Sequence, residues 1–342
     1  MSDTTWAHSD LPIVAAPMAG GPSTLALAAA VHAAGGFPFL AGGYKSAEAL
    51  AEEVRQAREL GGAFGVNLFV PSPAALDERA FRAYTEELRP EAAHHGLRLD
   101  EDPVTDDDDQ WPEKLALLLA DPVPVVSLTF GLPDPREIAA LREAGTRVLA
   151  TVTTVAEAQA ARESGVDGLV VQAPAAGGHS GTFDPCRVLT PVTALQLLRD
   201  ALAASGLPVV VGGGVTATET VRELLHAGAQ AVAVGTLLLR TDESGASQTH
   251  KDALADPAFT ETTVTHAFTG RPARALRNGF VDRHQATAPY GYPAIHHLTR
   301  PLRQAAAKAG DADRLHLWAG TGYREAREGS AADVVRGLAA GL

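Results

Sequence analysis

Eight short apolar runs, each followed by a loop and a helical pattern, constrain the fold of this 342-residue chain more than any other feature. The runs are rich in valine, isoleucine, leucine and phenylalanine, and they cover residues 12–16, 37–41, 63–69, 123–130, 147–151, 168–172, 207–212 and 231–235. Most are uninterrupted, which is typical of parallel strands covered on both faces. Eight strand–helix units in strict alternation predict an α/β fold, the closed (β/α)8 TIM barrel.

An open doubly wound sheet is the alternative architecture for such a chain. That fold usually carries its glycine fingerprint directly after the first strand. Here the glycine-rich strand ends come late, after the sixth, seventh and eighth runs. The order of the glycines therefore favours the barrel.

Helix boundaries are predicted from two local signals. A capping box, in which an N-terminal side chain and a glutamate three residues later exchange hydrogen bonds with the backbone, is expected at 134–137, 154–157 and 216–219. Gly145, Gly165 and Gly228 stand where these helices should end, at the position that favours a left-handed residue.

Two regions interrupt the alternation and suggest the domain organisation. Residues 71–121 are too long for one crossover helix, and we predict an inserted helical segment whose acidic run, 106–109, is a solvated loop rather than a metal site. Residues 241–320 carry prolines among aromatic residues and histidines and are predicted to form a helical lobe over the barrel mouth. The barrel itself then covers residues 1–240, and 321–342 is a C-terminal helix that returns to it.

Composition excludes several classes of function. The net charge of −13 disfavours nucleic acid as a partner. A single cysteine, Cys186, excludes an internal disulfide framework and a multi-cysteine metal site, and we predict no metal. Residues 1–10 lack the order of a signal peptide, and no apolar run approaches the roughly 20 residues that span a bilayer. We expect a cytoplasmic protein without membrane contact, a monomer or a homodimer.

Polar side chains follow several of the predicted strands at the end where barrel enzymes place their active sites. Asn67 lies near the end of the third strand, Thr129 near the end of the fourth, and Gln172 ends the sixth. His179 follows on a loop of small residues, and a histidine there can exchange protons near neutral pH. These segments are expected to converge on one cavity.

The glycines after the seventh and eighth strands suggest an anion site. Barrels often bind phosphate on the backbone amides of these loops. Gly213 and Gly214 permit close approach, while Gly235 and Thr236 offer amides and a hydroxyl. No Walker-type motif is present, which argues against a nucleoside triphosphate. The amides of Asn67 and Gln172 suit the edge of an isoalloxazine ring, so FMN is inferred, although a phosphorylated substrate would use the same phosphate site.

These residues resemble the FMN-dependent nitronate monooxygenases, formerly called 2-nitropropane dioxygenases, over nearly the whole chain. The most specific match is Gln172 followed by the alanine-glycine-glycine-histidine run at 176–179. Further stretches similar to the family, the last two to its class I branch, are 12–21, 65–69, 213–214, 233–236, 292–299 and 317–322.

The resemblance implies oxidation of an alkyl nitronate or nitroalkane by FMN and O2 to a carbonyl compound and nitrite. His179 falls on the catalytic histidine of the family. The residues expected at the cofactor are Ala16, Pro17, Met18, Ala19, Asn67, Gln172, Ala176, Gly177, Gly178, Gly213, Gly214, Ala233, Val234, Gly235 and Thr236. The residues expected near the substrate are Thr129, Ser180, Tyr292 and His296. Thr129, Ala175 and Ser180 replace the histidine, glutamate and arginine that the family usually carries there.

Three other functions fit parts of the same pattern. An FMN-dependent NAD(P)H:quinone or enoyl reductase would use the same cofactor site. A flavin-free lyase or synthase would grip the phosphate of its substrate instead. A flavin carrier without catalytic activity would use His179 for packing only.

Overall fold

The computed structural model describes residues 9–71 and 76–342 and contains the predicted barrel. Eight parallel strands close in the order β1-β2-β3-β4-β5-β6-β8-β9, and a second sheet of three antiparallel strands runs β10-β11-β7. The barrel strands are β1 Ile13–Ala15, β2 Phe37–Ala41, β3 Gly65–Phe69, β4 Val125–Thr129, β5 Arg147–Val152, β6 Gly168–Gln172, β8 Val209–Gly212 and β9 Ala231–Val234. The strands of the second sheet are β7 Gly178–His179, β10 Thr262–Thr265 and β11 Ala273–Leu276. All eight predicted strands are confirmed.

Helices cover the outside of the barrel and build the segments above it. They are α1 Leu25–Ala33, α2 Ala47–Glu59, α3 Glu78–Glu87, α4 Arg89–His94, α5 Trp111–Ala120, α6 Pro135–Glu143, α7 Val155–Glu163, α8 Ala194–Ser205, α9 Thr218–His226, α10 Gln248–Ala255, α11 Gly279–His284, α12 Ala294–Ala309 and α13 Ala331–Ala339. The C-terminal helix α13 contacts α1, α9 and β1, so the chain end packs on the barrel.

The uninterrupted apolar strands arise because both faces of each strand are buried. Val14, Phe37 and Leu149 pack in one cluster with residues from strands all around the barrel, which is its interior. Their strand neighbours, such as Ile13 and Val148, pack in a second cluster with residues from the surrounding helices. Alternating contacts to two apolar layers remove the polar face that an antiparallel sheet would show.

The predicted helix caps are confirmed in part. The capping box at 134–137 is present, and Gly145, Gly165 and Gly228 all have positive φ. Thr154 caps α7, but the Glu157 carboxylate bonds Thr153, Thr182 and Phe183 instead of the Thr154 amide. The predicted capping box at 216–219 is wrong. Helix α9 begins one residue later than predicted, and its N-cap residue, Ala217, has no side-chain hydrogen bond to offer.

The inserted segment and the 241–320 region pack against each other. Phe81, Tyr84 and Leu88 share an apolar cluster with Phe268 and Ile295. The 241–320 region is helical only in part, because it also supplies β10 and β11. β11 pairs with β7, so Ala273 lies opposite His179. The region therefore helps to position the loop that carries the predicted catalytic histidine.

The prediction for residues 1–10 lies largely outside the described part of the chain, which begins at residue 9. Among the residues that are described, no helix combines the length and the apolarity needed to cross a lipid bilayer.

Candidate active site

The carboxyl ends of the barrel strands open into a cavity of about 560 Å³. Residues from β3, β4 and β6 and from the loops after β8 and β9 line it together, so the expected convergence is confirmed. All the residues predicted to bind the cofactor line this cavity, as do His179, Thr129 and His296. The volume lies within the range of roughly 300 to 1,000 Å³ usual for small-molecule and cofactor sites.

Free backbone donors mark one end of the cavity. The amides of Gly213, Gly214 and Thr236 donate to no acceptor among the described residues. Gly213 and Gly214 have φ of 109° and 78°, and a Cβ at Gly213 would lie 2.8 Å from the Ala173 carbonyl oxygen. Glycine is required there, and it leaves N–H groups available to an anion. The Thr236 hydroxyl is already engaged, because it accepts from the Gly320 amide at 2.9 Å.

The two predicted amide side chains have different environments. Asn67 is buried, and its Nδ2 donates to Ser127 and to the Thr129 hydroxyl at 2.9 Å, which leaves Oδ1 to accept from a ligand. The Gln172 side chain bonds the loop that follows it. Its Nε2 donates to the His179 carbonyl at 3.0 Å, and its Oε1 accepts from the Gly181 amide at 2.6 Å. Gln172 therefore shapes the loop around His179, a role the sequence alone did not indicate.

His179 is held in one tautomer. Its Nε2 lies 2.8 Å from the Thr269 hydroxyl, and that hydroxyl donates its proton to the Arg271 carbonyl at 3.3 Å. Since the hydroxyl has one proton, His179 Nε2 donates and Nδ1 carries the free lone pair. Burial, with the charges of Arg271 and Arg303, lowers the His179 pKa to about 3. The imidazole is therefore neutral at neutral pH and can accept a proton.

Helix α12 forms a positively charged wall that the sequence analysis missed. His296, Arg300, Arg303, Gln304 and Ala307 line the cavity from successive turns. Arg300 and Arg303 are charged, and no acidic side chain among the described residues lines the cavity. The sequence indicates this wall by polar residues that stand three or four positions apart and so share one helix face. Strand ends alone do not predict it.

The predicted substrate residues separate into two groups. His296 stacks on Tyr44 with ring centroids 4.4 Å apart and accepts from Arg303 at 3.2 Å. Ser180 and Tyr292 do not line the cavity. The buried Ser180 donates its amide to the Pro272 carbonyl, and the Tyr292 ring lies 6.1 Å from the His179 ring and 5.9 Å from the His296 ring. Substrate contact by these two residues stays a prediction.

One group of side chains in the described residues has the spacing of metal ligands, His94, His95 and Asp311. It lies outside the cavity, and Asp311 already accepts from Arg314 at 3.0 Å. We assign it no metal, and the absence of a metal site stays a prediction.

We expect acid sensitivity from a second buried histidine. His250 donates to the Trp318 carbonyl, and burial lowers its pKa to about 4. Below about pH 6.5 the unfolded chain binds this proton and the folded chain does not, so the free energy of unfolding falls as the pH falls. Urea titrations should show that His250→Gln loses about 2 kcal/mol less than the wild type between pH 7 and pH 5. Equal losses in both proteins would contradict this assignment.

A family model described as nitronate monooxygenase matches residues 3–341. The chain belongs to the nitronate monooxygenase family. It is therefore an enzyme of the oxidoreductase class, and its family consists of flavoproteins. The resemblance inferred from the sequence is confirmed.

Individual nitronate monooxygenases agree with this assignment. Proteins described as probable nitronate monooxygenases from Staphylococcus aureus (strain Newman) and Staphylococcus saprophyticus are 32% and 35% identical over 321 residues, covering 92% of this chain and 89% of each relative.

Among solved structures, nitroalkane oxidase from Streptomyces ansochromogenes superposes with a TM-score of 0.92 at 48% identity, covering 97% of this chain and 96% of that chain. FabK from Thermotoga maritima reaches a TM-score of 0.73 at 23% identity, covering 97% and 92%, and this likeness concerns the fold alone.

Proposed function

We propose that this chain binds FMN in the cavity and oxidises alkyl nitronates, or the parent nitroalkanes, with O2 to a carbonyl compound and nitrite. His179 is the proposed base. The observation that carries the proposal is that a neutral imidazole and free backbone amides line the same cavity. The structural likeness to nitroalkane oxidase supports the same reaction class.

The residues present fit FMN. The unpartnered amides of Gly213, Gly214 and Thr236 would hold the phosphate, since backbone donors at strand ends bind anions well. Asn67 would meet the ring edge with its free Oδ1, and Met18 lines the cavity nearby. Bound FMN would supply the two-electron oxidation and the reaction with dioxygen.

His179 would act on the substrate through Nδ1. With a neutral nitroalkane, the unprotonated Nδ1 takes the proton from the carbon next to the nitro group. With a substrate that is already ionised, no proton transfer is needed, and the cationic wall holds the anion instead. The rings of Phe130 and Trp318 lie 5.8 and 5.4 Å from the His179 ring and would limit the access of water to it.

The charge distribution supports an anionic substrate. The chain as a whole carries −13, which opposes the approach of anions to most of its surface. The cavity reverses this sign locally through Arg300 and Arg303. A nitronate is an anion and a nitroalkane becomes one on deprotonation, so the wall stabilises both the substrate and the product of proton transfer.

The test combines oxygen uptake and nitrite release on a panel of nitroalkanes and their preformed nitronates, with NADH oxidation by quinones and enoyl thioesters in parallel. We expect both oxygen uptake and nitrite release with nitronates, and no rapid flavin bleaching by NADH without oxygen. Bleaching by NADH without nitrite release from any nitro compound would replace the proposal with the reductase alternative.

A further inference from the structure

We propose that Arg271 is a positioning residue for His179, acting through the Phe130 ring and through Thr269. The inference rests on the proposed role of His179. Arg271 stands two residues before β11, the strand that pairs with the His179 loop, and it does not line the cavity, so it is not itself a substrate-binding residue.

The burial of the Arg271 side chain should lower the stability of the fold. The side chain has 0% exposure, and only Nη2 has a partner, the Thr182 carbonyl. Nε and Nη1 are buried without any hydrogen bond among the described residues. Arg303 is also buried, but it donates to Thr299 and His296. A buried guanidinium without a carboxylate partner destabilises a fold, so its presence at 271 calls for another explanation.

Phe130 is the first route from Arg271 to His179. The Arg271 guanidinium lies over the Phe130 ring at 4.0 Å from its centroid, a cation–π contact. Phe130 has a φ of 81°, which is unfavourable for an aromatic residue and is typical of functional sites when it occurs. The same ring meets the His179 ring edge-on at 5.8 Å and 86°. Stacking by Arg271 thus holds the Phe130 ring, which borders the imidazole, on a strained backbone.

Thr269 is the second route. The Arg271 carbonyl accepts the Thr269 hydroxyl proton, and this requires His179 Nε2 to donate to Thr269. The position of the 271 backbone therefore determines which ring nitrogen keeps its lone pair. Ring orientation and tautomer both depend on the same residue.

The ionisable groups that surround His179 among the described residues are either positively charged or neutral. The ionisable groups that face it are Arg271 beside Thr269, Arg303 and His296 on α12, Tyr292 before α12, and His316 from the segment that carries Trp318. Burial and the charges of Arg271 and Arg303 each lower the His179 pKa. Removal of the Arg271 charge should therefore favour the imidazolium and move the His179 titration to higher pH.

The test is Arg271→Met in the flavin-loaded protein, with two independent readouts. The first is NMR titration of the ring carbons in ¹³C-histidine-labelled protein, with His179→Asn used to assign the His179 signal. We expect His179 to begin to titrate at higher pH in Arg271→Met than in the wild type. The second is turnover of nitroalkanes at neutral pH, expected to fall by about tenfold to a hundredfold as the base is misplaced.

Two further variants make the test decisive. Arg277→Met removes the same charge from an exposed side chain that pairs with Glu261 and Asp282, and it should change neither readout. Arg271→Lys keeps the charge but not the flat stacking group, so the titration should stay near the wild type while turnover falls. If Arg271→Met does not fold, Arg271→Gln, which also removes the charge but keeps a polar side chain, takes its place in both readouts.

An unchanged His179 titration in folded Arg271→Met, or wild-type turnover in either Arg271 variant, overturns the proposal. If the wild type oxidises no nitro compound, the proposed function fails instead. The NMR titration then still decides whether Arg271 controls the protonation of His179.

Discussion

Replacement of His179 by asparagine is expected to lower nitroalkane turnover by about a hundredfold to ten-thousandfold, the usual contribution of a placed base. Asparagine has no lone pair of comparable basicity, and its shorter side chain does not reach the Thr269 hydroxyl as the His179 Nε2 does. The His179 side chain makes no hydrogen bond to Gly213, Gly214 or Thr236, so flavin binding should be retained. Steady-state oxygen uptake and the visible absorbance of the same sample measure both properties.

A control variant separates the loss of the base from the general effects of replacing a histidine. His226→Asn makes the same substitution at an exposed position on α9 and should leave turnover unchanged. Preformed nitronates need no proton abstraction, so His179→Asn should lose less activity with them than with the neutral nitroalkanes. Full nitroalkane turnover in flavin-replete His179→Asn would remove His179 from the role of base.

Replacement of Gly214 by valine is expected to weaken FMN binding by at least about 100-fold, so that the protein purifies largely without flavin. A Cβ there would lie 3.2 Å from the Ala175 Cβ on a backbone with φ of 78°. Relief of this crowding would displace the neighbouring amides of Gly213 and Gly214. Two hydrogen bonds to a charged group contribute about 1.5 to 3 kcal/mol each, which corresponds to this loss of affinity.

Gly165→Val is the matched control for Gly214→Val. Gly165 has a similar φ of 86°, but a Cβ there meets nothing within 4 Å, and the residue does not line the cavity. Both variants carry the backbone strain of a valine at positive φ, about 1 to 2 kcal/mol. Fluorescence titration of apo-protein with FMN should show loss of affinity in Gly214→Val only. Equal affinities in the two variants would contradict the phosphate assignment.

The strands and the cavity could be predicted because their signals are local. A strand buried on both faces must be apolar throughout, as 209–212 is, and such a run can be recognised without knowing which strands it pairs with. The glycines at 213 and 214 are informative because their positive φ restricts the residue type. The placement of Asn67 and His179 at one cavity then followed from the general rule for barrels.

The remaining features depend on contacts between distant segments. Glu157 looked like a capping residue, but the Thr182–Phe183 segment competes for its carboxylate. Gln172 was predicted from its place at a strand end, but its bonds to the His179 carbonyl and from the Gly181 amide depend on a loop whose path the sequence does not show.

The roles of Arg271 and Arg303 also arise from packing of the C-terminal region over the barrel. Spacing along α12 indicates the polar face that carries Arg303, but no spacing along the chain indicates where Arg271 packs. The missed residues therefore belong mainly to the lobe, where tertiary contacts decide which polar groups remain free.

The central claim is that the cavity holds FMN between the amides of the β8 and β9 loops and His179. The most direct measurement is release of the cofactor from natively purified protein by denaturation, followed by chromatography and absorbance quantification. We expect yellow protein that releases one FMN for each chain. Colourless protein that takes up no FMN on reconstitution would contradict it.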